Sequence, residues 1–403
     1  MTEQWRLKGN SRRWQAEALE LWRGSERGIA NVVTGAGKTR FAEMCIAEFL
    51  NKYPKGRVVL IVPTLALLDQ WCVDLEDDLG VSEKEVALYS GRRRPATANR
   101  FNLMVLNTAR SAAPEMTEGN DPALLVVDEC HRAGTPENSK ALKGGYRAAL
   151  GLSATPAREY DHGLEELLVP ALGEVFYSYD YDDAHRDGVI AEFALVNVAI
   201  PLTESEKEHY DSLSARVARA ARACEEGKED DAKLTRLLRE RSSVSGGARL
   251  RVPVTIKLAD RYRGSRMVIF HEQIEAAEEI VELLQERGHS VTIYHSRIGG
   301  PLRRDNLRLF RQGAFRILVS CRALDEGVNI PEVEVGLIAS STASSRQRIQ
   351  RLGRVLRPAK GKESATVITL YATEIEEERL RAEASTLDSA SSISWQKVEL
   401  SSA

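Results

Sequence analysis

The stretch Ile29-Ala30-Asn31-Val32-Val33-Thr34-Gly35-Ala36-Gly37-Lys38-Thr39-Arg40-Phe41-Ala42 decides the reading of this chain. An apolar run enters a glycine-rich loop that opens into a helical pattern, the order of elements that a phosphate cradle requires. Small residues at Thr34, Gly35, Ala36 and Gly37 let backbone amides close on phosphate oxygens, and Lys38 can reach the β- and γ-phosphates. The Thr39 hydroxyl is suited to hold Mg²⁺. One departure is plain, because Val32 stands where the usual pattern has its first glycine.

A second run, Leu124 to Val127, ends in Asp128-Glu129-Cys130-His131. Two adjacent carboxylates then fall at the carboxyl edge of a parallel sheet, where ligands of such folds bind. Asp128 can hold the metal and leave Glu129 to polarise a water, as a general base.

Around these motifs, short β-branched runs alternate with helical patterns: Ile29 to Thr34, Val58 to Val62, Leu103 to Leu106, Leu124 to Val127 and Ala148 to Leu152. The pattern restarts with Met267 to Phe270, Val291 to Tyr294, Ile317 to Ser320, Val335 to Ala339 and Thr366 to Leu370. Continuous apolar strands separated by helices imply parallel sheets covered on both faces, hence two α/β domains. Between them, residues from about Thr203 to Gly247 are charged, alanine-rich and nearly free of proline, which predicts a helical insert. The expected boundaries are 1–200 for the first domain, 201–262 for the insert, 263–372 for the second domain and 373–403 for an acidic, serine-rich, loosely held tail.

The 403 residues exceed what one core usually serves. No apolar run approaches the roughly 20 residues that span a bilayer, so no membrane partner is expected. The first residues lack the apolar core of a signal peptide, and a cytoplasmic location is expected. Cys45, Cys72, Cys130, Cys224 and Cys321 are scattered singly, which predicts neither a zinc site nor a disulfide framework. With 56 basic against 59 acidic side chains the net charge is −3, so a nucleic-acid track would have to be local. Arg92, Arg93 and Arg94 are one candidate for it, with a solvated arginine loop as the competing reading.

The motifs together resemble the DExH-box members of helicase superfamily 2, over roughly residues 10 to 370 and in that family's order. The resemblance implies two RecA-like domains with ATP and Mg²⁺ bound in the cleft between them. It implies that Gln15 in RRWQAEAL reads adenine, that Thr64 and Thr108 contact a phosphate backbone, and that His131, Ser153 and Thr155 link ATP state to nucleic-acid grip. In the second domain, ILVS followed by LDEGVNIP resembles the fifth motif, which implies ribose contacts from Asp325 and Gly327 and a track contact from Ser320. QRIQRLGRVLR resembles the sixth, where helical spacing aims Gln350, Arg354 and Arg357 along one face and the two arginines serve as fingers. YSGRRRP, ATPAREYD and LDEGVNIP are worded most like XPB-type, UvsW-type and type III restriction motors. The expectation is therefore a DNA-stimulated ATPase that translocates on or remodels duplex or branched DNA in repair, recombination or defence, with DNA favoured over RNA. Two alternatives stand beside it. One is an ATP-gated binding subunit with a partner protein supplying targeting or a nuclease; the other is an RNA helicase.

Overall fold

The computed structural model describes residues 5–91, 95, 97–118, 120–154, 163–189, 193–225, 231–321, 333–340, 365–384 and 390–398. The chain divides into two compact units between residues 190 and 191. The first contains β1 (Arg27–Val32), β2 (Arg57–Val62), β3 (Val86–Tyr89), β4 (Phe101–Val105), β5 (Ala123–Asp128), β6 (Ala148–Ser153) and β7 (Val175–Tyr179). They form one parallel sheet in the order β3-β4-β2-β5-β6-β1-β7.

Its helices are α1 (Arg13–Ser25), α2 (Lys38–Lys52), α3 (Leu65–Leu79), α4 (Leu106–Ala112) and the short α5 (Val169–Leu172) and α6 (Tyr181–Arg186). Every residue of β5 and β6 is buried. Alternate positions feed two cores: Leu124, Val126 and Leu150 join Trp14, Trp22, Phe41, Phe49 and Trp71 on one face, while Leu125, Val127 and Ala149 join Ile29, Val59 and Ile61 on the other. Both faces are thus dry, which is why these strands read as unbroken apolar runs rather than alternating ones.

The second unit carries β8 (Phe193–Ala199), β9 (Met267–Phe270), β10 (Val291–Tyr294), β11 (Ile317–Ser320), β12 (Val335–Ile338), β13 (Ala365–Tyr371) and β14 (Ala390–Lys397). They make a second parallel sheet in the order β10-β11-β9-β12-β13-β8-β14. Its helices are α7 (Glu204–Glu225), α8 (Asp231–Gly246), α9 (Arg251–Arg261), α10 (Ile274–Glu286), α11 (Gly300–Arg311) and α12 (Glu374–Ala384).

Three expected boundaries move. Residues 193–199, placed with the first domain, are β8 of the second sheet, paired with β13 along its whole length. An apolar run shows that a strand exists but not which sheet it joins. Within the expected insert, α7 and α8 form a pair with its own small core of Leu213, Val217, Ala220 and Leu237. Helix α9 instead buries Val252, Val254, Ile256 and Ala259 in the core of the second sheet. The tail is not loose either, since β14 pairs with β8 and Trp395 packs edge-on to Tyr371 under the Arg381 guanidinium.

Candidate nucleotide site

Register places the ends of three strands of the first sheet side by side: Asn31 in β1 lies opposite Ser153 in β6, and Leu152 in β6 opposite Asp128 in β5. The loops that follow β1 and β5 and the residues after β6 therefore emerge together at the carboxyl edge.

The loop from Val33 to Gly37 turns on Gly35 (φ 86°) and Gly37 (φ 99°), both in the left-handed region that glycine enters without steric cost. Val32 is the last residue of β1 and fully buried, so the tight turning falls on the two later glycines. Helix α1 clamps the loop from behind. The Trp14 indole and Arg12 guanidinium donate to the Ala36 carbonyl, each at 3.1 Å, and Gln15 Nε2 donates to the Gly37 carbonyl at 2.9 Å. A Cβ at Gly37 would come within 2.8 Å of that Gln15 nitrogen, so glycine is needed there for room as well as for its backbone angle. Gln15 is fully buried in this position and also accepts from the Arg12 amide. With these carbonyls held from outside, the amides at the start of α2 are left to face a ligand.

Lys38 opens α2 and is 9% exposed; its Nζ donates to Glu129 Oε1 at 3.1 Å. Glu129 sits in the left-handed region (φ 49°, ψ 49°), which costs an L-residue about 1–2 kcal/mol. Asp128 is buried, accepts from the Trp71 indole at 3.0 Å and from the Glu129 amide at 3.0 Å. Burial, and then the Glu129 charge, raises its carboxyl to about 6, against the pull of Lys38 and Trp71. A divalent cation beside it would hold it ionised.

His131 Nδ1 lies 3.0 Å from the Ser153 hydroxyl and 3.5 Å from Glu129 Oε2, so it bridges the carboxylate pair and the end of β6. Thr39 is half-buried one residue beyond Lys38. Its hydroxyl and the Asp128 carboxylate are hard oxygen donors of the kind Mg²⁺ takes. Among the described residues no group of three or more His, Cys, Asp or Glu could hold a metal ion.

The expected track residues differ in what they do. Thr64 caps α3, its Oγ1 accepting from the Leu67 amide at 3.3 Å. Thr108 is buried and accepts from the Gly91 amide at 3.0 Å, which tethers the start of the arginine loop. Ser320 is fully buried, with no hydrogen-bond partner for its hydroxyl among the described residues. Arg92, Arg93, Arg94, Thr155, Asp325, Gly327, Gln350, Arg354 and Arg357 lie outside the described residues.

Arg12, Trp14 and Trp71 were not expected at the site. Trp14 and Arg12 adjoin Gln15 in the same RRWQ run, a signal the sequence carries; Trp71 reaches Asp128 across 57 residues, which no local pattern shows. In the second unit a cavity of about 760 Å³ lies between the α7–α8 pair and the ends of β9, β12 and β13, with Arg239, Arg241, Arg379, Tyr210 and Gln273 in its wall.

Residues 8–158 match the family model described as type III restriction enzyme, res subunit, and residues 251–359 that of the helicase conserved C-terminal domain. The DNA 3'-5' translocase XPB2 of Sulfurisphaera tokodaii is 25% identical over 365 residues, covering 86% of this chain and 78% of that one. The DNA 3'-5' helicase XPB of Kineococcus radiotolerans is 26% identical over 377 residues, covering 91% of this chain and 60% of that one. Among solved structures, S. cerevisiae Dbp5 bound to RNA and ADP BeF3 superposes with TM-score 0.61 at 14% identity, covering 95% of this chain and 89% of that one, a likeness of fold alone. The chain is a superfamily 2 helicase, built on two RecA-like domains. Within that class it is of the XPB-like or type III restriction-like kind. No helix among the described residues is long and apolar enough to cross a membrane.

Proposed function

We propose that this chain is an ATP-dependent DNA helicase or translocase whose ATP hydrolysis is stimulated by DNA, remodelling duplex or branched DNA in repair, recombination or defence. The observation that carries the reading is the Lys38–Glu129 ion pair, held at 3.1 Å beside Asp128 at the carboxyl edge of the first sheet. Lys38 has three N–H donors and spends one on Glu129. An incoming β- or γ-phosphate competes for Lys38, and the freed Glu129 carboxylate turns to the attacking water as general base. Amides from Thr34 to Gly37 hold the phosphates, and Gln15, whose carboxamide already holds Arg12 and Gly37, lies near the adenine.

Mg²⁺, held by Thr39 and Asp128, would offset charge on the transferring phosphoryl group. Arg354 and Arg357 keep the role of arginine fingers, with Gln350 of the same motif beside them in the catalytic set, and Asp325 and Gly327 that of ribose contacts. His131, Ser153 and Thr155 pass the state of the site to the track residues Thr64, Arg92, Arg93, Arg94, Thr108 and Ser320. Most such contacts go to phosphate, so grip should depend on salt more than on sequence.

The test is ATP turnover by the purified protein on single-stranded, duplex and forked DNA and on matched RNA, with Lys38→Ala as the control. Stimulation by DNA and its loss in Lys38→Ala support the reading. Stimulation by RNA alone, or by neither, overturns it.

A further inference from the structure

Helices α7 and α8 form an arm with a core of its own, and its root is tied to the second sheet by a few polar groups. Arg251, the first residue of α9, is 1% exposed. A guanidinium has five N–H donors, and all five are used. Nε donates to the Ser245 carbonyl at 2.8 Å, one terminal nitrogen donates to Ala339 and Leu370 carbonyls at 2.6 and 3.0 Å, and the other donates to both Glu376 oxygens at 3.0 Å.

Ser245 and Gly246 end α8, so their carbonyls are among the four that a helix cannot satisfy internally. The Gly246 carbonyl accepts from Ser340 Oγ at 2.7 Å. The Ser245 carbonyl also accepts from the Ala248 amide at 3.4 Å, and both carbonyls are held by side chains from α9 and the end of β12. A Cβ at Gly247 would meet Gln273 Nε2, from the start of α10, at 3.0 Å. The arm's root is therefore seated on the ends of β9, β12 and β13. Cys321 Sγ, after β11, donates to the Glu272 carbonyl at 2.9 Å and so joins the end of β11 to that of β9 beneath the arm's root.

Two of these strand ends lead straight into the expected chemistry. Ala339 and Ser340 precede the segment with Gln350, Arg354 and Arg357, and Cys321 precedes that with Asp325 and Gly327. The arm itself carries Lys233, Arg236, Arg239 and Arg241 on α8, two of them in the wall of the cavity beside the root.

We propose that Arg251 and Ser340 are positioning residues that transmit the placement of the α7–α8 arm to the strand ends preceding the Gln350–Arg357 segment, so that DNA held against the arm raises the rate of ATP hydrolysis. This rests on the proposed function. Arg251 serves as the fixed pivot, because a saturated guanidinium cannot exchange one partner without stranding another. Ser340 supplies the second point that makes the joint resist rotation.

The experiment compares wild type, Ser340→Ala and Arg251→Lys for DNA affinity, KM for ATP, basal turnover, DNA-stimulated kcat and melting temperature. Ser340→Ala removes one hydrogen bond, and its stimulated kcat should fall about fivefold, the equivalent of a typical net hydrogen bond. DNA affinity, KM and basal turnover should stay within about twofold, since the arm's cations and the first domain's site are intact. Arg251→Lys keeps the charge but cannot span three carbonyls and a carboxylate, so its stimulation should fall further. Should Arg251→Lys fail to fold, Ser340→Ala decides the matter alone.

A wild-type ratio of stimulated to basal turnover in Ser340→Ala overturns the inference, as does a proportional fall in both rates, which a structural role alone would give. A wild-type protein that no DNA stimulates overturns the functional reading and takes this inference with it. DNA stimulation in wild type that persists in the variants removes the inference alone.

Discussion

At the carboxyl edge of each sheet stands a buried ion pair, Lys38–Glu129 in the first unit and Arg251–Glu376 in the second, and the two are built in opposite ways. Among the described residues Lys38 makes a single contact, at 3.1 Å, to a glutamate whose backbone is strained, and two of its three donors remain there for a ligand. Arg251 meets its glutamate through both carboxylate oxygens and spends its other three donors on carbonyls. Glu376 is held in turn, its Oε2 accepting from the Ala372 amide at 2.7 Å. Burying a charge is tolerated only when its hydrogen-bonding capacity is met, and the second pair meets it in full. In the first, two Lys38 donors have no partner among the described residues and can turn to a phosphate. A pair that must change partners keeps donors in reserve, and a pair that must not is saturated.

The largest effect that would sharpen this contrast is on chemistry. Glu129→Gln should retain ATP and lose about 10²- to 10⁴-fold in turnover, the range that positioned general bases contribute. Lys38→Ala should lose nucleotide binding itself, because it removes the phosphate contact and leaves Glu129 without its partner. Steady-state turnover and titration with a fluorescent nucleotide separate the two. Wild-type turnover in Glu129→Gln would break the assignment of the first pair as the reactive one.

On stability the order should reverse. Arg251→Met strands Glu376 and three carbonyls in a site with almost no access to water, and should cost about 3–5 kcal/mol in denaturant unfolding. Lys38→Met should cost less, since Glu129 keeps partial exposure and His131 nearby. A smaller loss for Arg251→Met than for Lys38→Met would refute the comparison.

A buried histidine beside the saturated pair gives a pH dependence. His271, 2% exposed at the end of β9, accepts at Nδ1 from the Gln273 amide at 3.1 Å. Burial, and then the Arg251 charge, lowers it to about 4 from its ordinary 6.5. Its folded value is depressed, so the unfolded chain binds the proton more readily. Stability is fully present above about pH 6.5 and is lost as pH falls toward 4, by up to about 3 kcal/mol. Unfolding midpoints at pH 7 and pH 5 should diverge in wild type and draw together in His271→Gln. Equal divergence in both would place the titrating group elsewhere.

Why one pair could be read from the sequence and the other could not follows from distance along the chain. Lys38 and Glu129 each belong to a compact motif, a glycine loop after a strand and two carboxylates at a strand's end, and a parallel sheet brings such ends together by construction. Arg251 and Glu376 are separated by 125 residues and lie in no motif; only the fold unites them. The same limit explains β8, an apolar strand whose sheet was undetermined, and Trp71, whose bond to Asp128 depends on how α3 packs. The C-terminal strand was hidden for another reason. Its serines gave the composition of a loose tail, while Trp395, anchored between Tyr371 and Arg381, supplies the apolar contact that composition averages away. Ser320 shows the converse, a motif residue whose type was legible but whose burial was not.

The smallest effect concerns the link out of the reactive pair. His131 faces Ser153 at 3.0 Å and Glu129 at 3.5 Å, so one ring nitrogen is shared between the carboxylate proposed as the general base and the strand end where Ser153-Ala154 begins its exit. If that nitrogen carries the state of Glu129 outward, the hydroxyl is its receiver. Ser153→Ala should then leave ATP affinity within about twofold and lower DNA-stimulated turnover by about fivefold, the scale of one hydrogen bond. His131→Ala should do at least as much, because it also removes the neighbour of Glu129. The decisive quantity is the double variant. Residues that act through one contact are not additive, so Ser153→Ala should add little once His131 is gone, giving a coupling of about 0.5–1.5 kcal/mol in RT ln(kcat). Full additivity would mean that Ser153 and His131 act separately, and that the under-satisfied pair reports its state by another route.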